Sequence, residues 1–180
     1  MAVRHKRVGH TSFVTIDRPW AHNVVDARMA DELDVAFREF DADPGADALV
    51  LTGARGIFCA GADLDWRFVP SGKPTVAAVE GWALGGGFEL ALWCDERVAG
   101  ASARFSFVER RMERGQSGRR LAALVGHGRA LDLLLTGRVV GAAEALEIGL
   151  VGRVVADGRA LEVATQLACR RSALASVVRW

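Results

Sequence analysis

Lys73 to Gly100 reads KPTVAAVEGWALGGGFELALWCDERVAG, and this stretch decides the fold. Thr75–Val79 is a continuous apolar run bounded by Pro74 and by Glu80-Gly81, the pattern of a strand buried on both faces. Gly85–Gly87 make a turn, and the almost wholly apolar FELALWC that follows reads as a short buried helix. Arg97–Ala99 returns to strand. A strand, a turn, a buried helix and another strand form one unit, and such units favour parallel pairing with right-handed crossovers.

The alternation extends outward on both sides. Ser12–Ile16 reads as a short strand closed by a turn at Arg18-Pro19. Asp26 is placed to cap a helix whose apolar positions Met29, Leu33, Ala36, Phe37 and Phe40 recur at helical spacing, and Asp43-Pro44-Gly45 stops it. Ala48–Leu51 is a second buried-strand run, followed by a glycine-bearing loop region from Gly53 to Pro74. Beyond Glu109 the pattern turns helical, over Arg119–Val125, Ala130–Leu135, Ala142–Ile148 and Arg159–Arg170, with a short β segment at Val151–Val155. The expectation is an α/β fold in a single domain, residues 1–180, with a core over about 1–125 and a helical C-terminal portion over about 126–180.

Composition narrows the function. A chain of 180 residues, 51% hydrophobic and 25% charged, is ordinary globular usage and argues against disorder. Its 23 basic and 22 acidic residues nearly cancel, without the basic excess of a nucleic-acid binder. The Arg-rich stretch (Arg110, Arg111, Arg114, Arg119, Arg120) is interrupted by Glu109 and Glu113 and reads as a solvated helical face. Tyrosine is absent, which removes mechanisms that need a phenol. Cys59, Cys94 and Cys169 are odd in number and form no ligand spacing, so they read as free thiols in a reducing compartment. The four histidines make no metal-ligand set, and no metal is expected. No apolar run approaches the ~18 residues of a membrane span, so a soluble, cytoplasmic protein with no membrane partner is expected.

Three features carry chemistry. Phe58–Leu64 (FCAGADL) places small residues after a buried strand, where a ligand can approach backbone N–H groups. Gly85–Gly87 stand ahead of a helix carrying Glu89, and a helix N-terminus offers free N–H groups and the positive end of the dipole. One backbone donor from each loop would make an oxyanion hole. Glu109, beyond Phe105-Ser106-Phe107, is the third: two glutamates beside such a hole can hold a water and move protons next to a carbonyl. Each feature also has a plain reading. A triple glycine serves close helix–strand packing, and Glu109 alone reads as a solvated, ion-paired carboxylate. Glu89 is different, because a carboxylate in FELALWC needs partners or a task. Cys59 and Cys94 read as packing residues and Trp93 as core, while Trp66 and Trp82 are candidates for a pocket wall.

On these residues the chain resembles the crotonase superfamily of enoyl-CoA hydratases and isomerases. The pieces are IDRPWAHNVV (Ile16–Val25), LVLTGARGIFCAGADL (Leu49–Leu64), Lys73–Gly100, ARFSFVE (Ala103–Glu109) and Gly128–Val155. The resemblance implies a spiral of stacked ββα turns with helices after it, often assembled as trimers. It assigns the N–H groups of Ala62 and Gly86 to an oxyanion hole and makes Glu89 and Glu109 the catalytic pair. His22, Ala60, Asp63, Leu64 and Asp65 fall where relatives contact CoA. It implies addition of water across the 2,3 double bond of a 2-enoyl-CoA thioester, with no cofactor beyond the CoA that the substrate carries. The alternatives are isomerisation by Glu109 alone, or a catalytically weak subunit that binds acyl-CoA or a partner.

The chain departs from the family in definite places. Only DWRFVPSG separates Leu64 from Lys73, where relatives place a longer acyl-pocket loop. After Glu109 a glycine-rich loop is shortened to RRMERGQSGRR, and Val108 replaces the usual proline. The helical C-terminal portion is shortened as well, which bears on assembly and CoA affinity; Leu174, Val177, Val178 and Trp180 read as apolar residues awaiting a packing partner.

Overall fold

The computed structural model describes residues 2–62, 71–107 and 116–175. Strands β1 (Val3–Val8), β2 (Thr11–Ile16), β3 (Ala48–Gly53), β4 (Thr75–Val79), β6 (Glu96–Gly100) and β9 (Arg153–Val155) form one sheet in the order β1-β2-β3-β4-β6-β9. From β2 onward all neighbours are parallel. β1 is the exception, an antiparallel edge that pairs Val3 with Ile16 and Val8 with Thr11. Sequence reading passed over β1 because only Val3 of its six residues is buried, so no apolar alternation marks it.

The central strands are buried on both faces, as their unbroken apolar runs predict. Leu49, Leu51, Ala77, Val79 and Ala99 face the main core, with Met29, Leu33, Phe37 and Phe40 of α1 (Ala27–Ala42) and Leu90 and Trp93 of α2 (Gly86–Trp93). Trp93 stacks on Phe37 with centroids 4.3 Å apart, a core residue as expected. The alternate residues Ala48, Val50, Val76, Ala78 and Val98 face α6 (Ala160–Ala175). That helix offers Ala160, Ala164 and Ala168, four residues apart on one face, so its backbone lies close against the sheet.

Charged groups secure both ends of α1. The Asp26 side chain accepts from the Met29 N–H at 3.0 Å, the cap predicted from sequence, and takes Arg18 Nη1 at 2.5 Å. At the other end Lys73 Nζ donates to the carbonyls of Phe40 (2.9 Å) and Asp43 (2.6 Å), a cation on the negative end of the helix dipole. Arg97, buried in β6, gives its guanidinium wholly to carbonyls: Leu150 at 2.6 Å, Cys94 at 2.7 Å, Ala91 and Asp95 at 3.3 Å. It ties the C-terminal end of α2 to the segment before β9.

A smaller sheet pairs β5 (Trp82–Leu84) with β7 (Arg104–Ser106) in parallel, and β7 with β8 (Val140–Gly141) antiparallel. Strands of two or three residues are too short to show a period, and none of the three is assigned from the sequence. The remaining helices are α3 (Gln116–Val125), α4 (His127–Thr136) and α5 (Ala142–Glu147), within a few residues of their expected positions.

Two outcomes follow from this packing. Ala164→Leu overfills the α6–sheet contact and should lower stability by about 1–3 kcal/mol, read as a shift of the urea midpoint. Three carboxyls are held below their ordinary range. The Met29 N–H and Arg18 hold Asp26 there; the Val3 and Ala2 N–H groups hold Glu32, against the desolvation of its site; Arg138 holds Glu144. A depressed folded pKa stabilises above the unfolded value and loses that contribution as pH falls through the folded one. The melting temperature should therefore fall below about pH 4, and Asp26→Asn, which keeps a capping oxygen, should flatten that acid limb.

Candidate active site

The segment Phe58–Ala62 runs between two others as an extra rail. On one side it pairs with β5: Phe58 N–H donates to Glu80 O (2.8 Å), Cys59 N–H to Trp82 O (2.9 Å), and Leu84 N–H to Cys59 O (3.0 Å). On the other side Ala60 N–H donates to His22 O (3.1 Å), and Gly61 O accepts from Val25 N–H (2.9 Å). Asn23 makes the second side possible. It is fully buried in a left-handed conformation (φ 59°), accepts the Arg18 N–H at 2.8 Å, and donates to the carbonyls of Ala54 (3.0 Å) and Ile57 (2.6 Å). Sequence reasoning did not single Asn23 out; the signal was an Asn, tolerant of left-handed backbone, in the turn after Pro19.

α2 begins where this rail ends. Gly85 turns the chain with φ 51° and ψ −122°, open to glycine alone. Gly86 and Gly87 are required for a different reason. A Cβ on Gly86 would lie 3.0 Å from the nitrogen of Ala62 and would collide with its methyl, and a Cβ on Gly87 would lie 2.7 Å from the carbonyl carbon of Cys59. Close packing and donor exposure, alternatives in the sequence, are one arrangement here.

The peptide planes fix where the two N–H groups point. All described peptides are trans, so each C=O and the following N–H point in opposite directions. Gly61 O is taken by Val25, so the Ala62 N–H faces away from Val25, on the side where Gly86 lies. Gly85 O accepts from Phe88 (2.9 Å) and Glu89 (3.1 Å), so the Gly86 N–H points out of the helix N-terminus. Two adjacent donors at the positive end of a helix suit a developing oxyanion.

Glu89 is half-buried and three residues beyond Gly86, so it shares that face of α2, with its Cβ tilted toward the donors. The approach to Glu109 is visible: Ser106 O accepts from Gly85 N–H (2.9 Å), and the Phe107 ring lies 4.4 Å from that of Phe88. Glu109 itself lies outside the described residues, as do Asp63, Leu64, Asp65 and Trp66. The structure thus brings Ala62, Gly86 and Glu89 together. Ala60 is half-buried beside them, and His22, exposed, holds it through its carbonyl.

Cys59 and Cys94 are fully buried, and burial pushes their thiols up to about 11 and about 12, as suits packing residues. Trp82 is 42% exposed rather than core. Among the described residues no three His, Cys, Asp or Glu cluster as metal ligands, and no helix is long and apolar enough to cross a membrane. Arg119 is exposed and Arg120 half-buried on α3.

Comparison with known proteins gives the family and the fold. The profile of the enoyl-CoA hydratase/isomerase family matches residues 9–68 and 66–177. A probable enoyl-CoA hydratase of Rhizobium meliloti is 42% identical over 154 residues, covering 73% of this chain and 60% of that protein. Enoyl-CoA hydratase EchA19 of Mycobacterium tuberculosis is 41% identical over 160 residues, covering 74% and 60%. The crystal structure of enoyl-CoA hydratase EchA1 from Mycobacterium marinum superimposes with a TM-score of 0.89 at 36% identity, covering 96% of this chain and 76% of that one. The chain spans about three-fifths of the length of the curated relatives it matches.

Substitution at the glycines separates tight from open positions. Gly86→Ala should displace the rail and lower stability by more than about 1 kcal/mol, whereas Gly128→Ala, in open space on α4, should be neutral or stabilising by up to about 1 kcal/mol in the same urea titration. A thiol reagent at pH 8 should modify exposed Cys169 in the native protein and reach Cys59 and Cys94 only after unfolding.

Proposed function

The chain belongs to the enoyl-CoA hydratase/isomerase family, with the crotonase fold, and from that premise we propose that it is an enoyl-CoA hydratase-like lyase, adding water across the 2,3 double bond of a 2-enoyl-CoA thioester. The observation that carries this reading is the pair of neighbouring N–H groups of Ala62 and Gly86 beside Glu89. The thioester oxygen accepts both. As the water oxygen bonds to C3, the electron pair of the double bond moves toward that carbonyl, and the two donors stabilise the enolate. Loss of one such donor lowers kcat about 10²–10³-fold in comparable sites.

Glu89 and Glu109 hold the water between them. One accepts the proton the water loses, and the other delivers a proton to C2, so atoms and charge balance. No cofactor takes part besides the CoA of the substrate, which His22, Ala60, Asp63, Leu64 and Asp65 flank. Three free cysteines fit a reducing compartment, the cytoplasm, and the family's trimers make a homo-oligomer the proposed assembly.

The test is loss of the conjugated-thioester absorbance across 2-enoyl-CoA chain lengths. Glu89→Gln and Glu109→Gln should each lower kcat by about 10²–10⁴-fold. A protein that tolerates Glu89→Gln and converts 3-enoyl-CoA is an isomerase instead. One that binds acyl-CoA without turnover, unaffected by either change, is a binding subunit.

A further inference from the structure

We infer that Cys59 is a positioning residue for the Ala62 donor: its thiol and the Val25 N–H together clamp the Gly61 carbonyl, and so hold the Gly61–Ala62 peptide with its N–H toward the thioester oxygen. The inference rests on the hydratase reading above.

Gly61 O accepts twice, from Val25 N–H at 2.9 Å and from Cys59 Sγ at 3.1 Å. Because the peptide is planar and trans, any group that fixes that oxygen also fixes the Ala62 N–H at the opposite edge. A second anchor matters at this place. Gly61 has no Cβ and sits at φ 157°, where L side chains rarely go, so the peptide that follows it rotates against little steric resistance. Cys59 is itself immobile: its N–H and C=O are both bonded to β5, and its carbonyl and Cβ abut Gly87. One buried residue thus touches both donor-bearing segments and relates the Ala62 N–H to the Gly86 N–H. Burial keeps the thiol protonated through neutral pH, so it remains a donor wherever the reaction runs.

The experiment uses the full chain as wild type, Cys59→Ala and Cys59→Ser. A donor-substituted cinnamoyl-CoA serves as probe, because its absorption moves to the red as its carbonyl is polarised. Crotonyl-CoA hydration is measured alongside, with thermal melting of each variant. Cys59→Ala should lower kcat by about 3- to 10-fold with KM within about twofold, a fraction of the cost of losing a donor outright. It should also shrink the red shift of the bound probe, and Cys59→Ser, which keeps a donor at the same atom position, should restore both. An undiminished red shift and kcat in Cys59→Ala overturn the inference while leaving the hydratase reading intact. So does an equal loss in Ala and Ser that follows their melting temperatures. A wild-type protein that reddens the probe but does not hydrate crotonyl-CoA overturns the hydratase reading alone. Wild type that leaves the probe spectrum unmoved overturns both.

Discussion

No side chain fits between the first turn of α2 and the rail at Cys59–Ala62, and much else in the structure depends on that closeness. The helix must present glycine at its first two positions, and the turn before it must be a glycine that reverses the chain at positive φ. The rail must then be held rigidly, since the gap tolerates no slack. β5 holds it from one side, and the turn stabilised by Asn23 holds it from the other. Helix position, rail position and the direction of two N–H groups are therefore one constraint expressed three times.

The two ends of α2 are treated in opposite ways. Its Gly86 N–H points out toward the candidate site, whereas the carbonyls at its C-terminal end, Ala91 and Cys94, are taken by the buried guanidinium of Arg97. A cation at the C-terminal end and an outward-pointing donor at the N-terminal end both follow the helix dipole, so the electrostatics of α2 are consistent along its length. Arg97 is satisfied by four carbonyls rather than a carboxylate, so its charge requires no second buried ion. α1 shows the same logic with Asp26 at its start and Lys73 at its end.

What was legible in the sequence was whatever repeats or punctuates. Asp26, Asp43-Pro44-Gly45 and the apolar runs at Ala48 and Thr75 announced α1, β3 and β4 nearly to the residue. The glycines and Glu89 announced a helix start with unusual neighbours. What stayed hidden has no period: β5, β7 and β8 are three residues or fewer, and β1 buries only one side chain. Asn23 and Arg97 were hidden for another reason. Asn23 bonds carbonyls 31 and 34 residues away and Arg97 reaches one 53 residues away, and no local pattern encodes such a distant partner.

Strand order has a consequence for how the chain is made. β6 lies between β4 and β9, and β9 is supplied some fifty residues after β6 leaves the ribosome. Until then β6 is an open parallel edge, and until α6 follows, Val50, Val76 and Val98 form a bare apolar face. The nascent chain therefore carries a sticky edge and a sticky face at the same time, the combination that invites association between half-made chains. β9 then covers the β6 edge and α6 the apolar face, so the alanine stripe of α6 lies over the sheet as its cover.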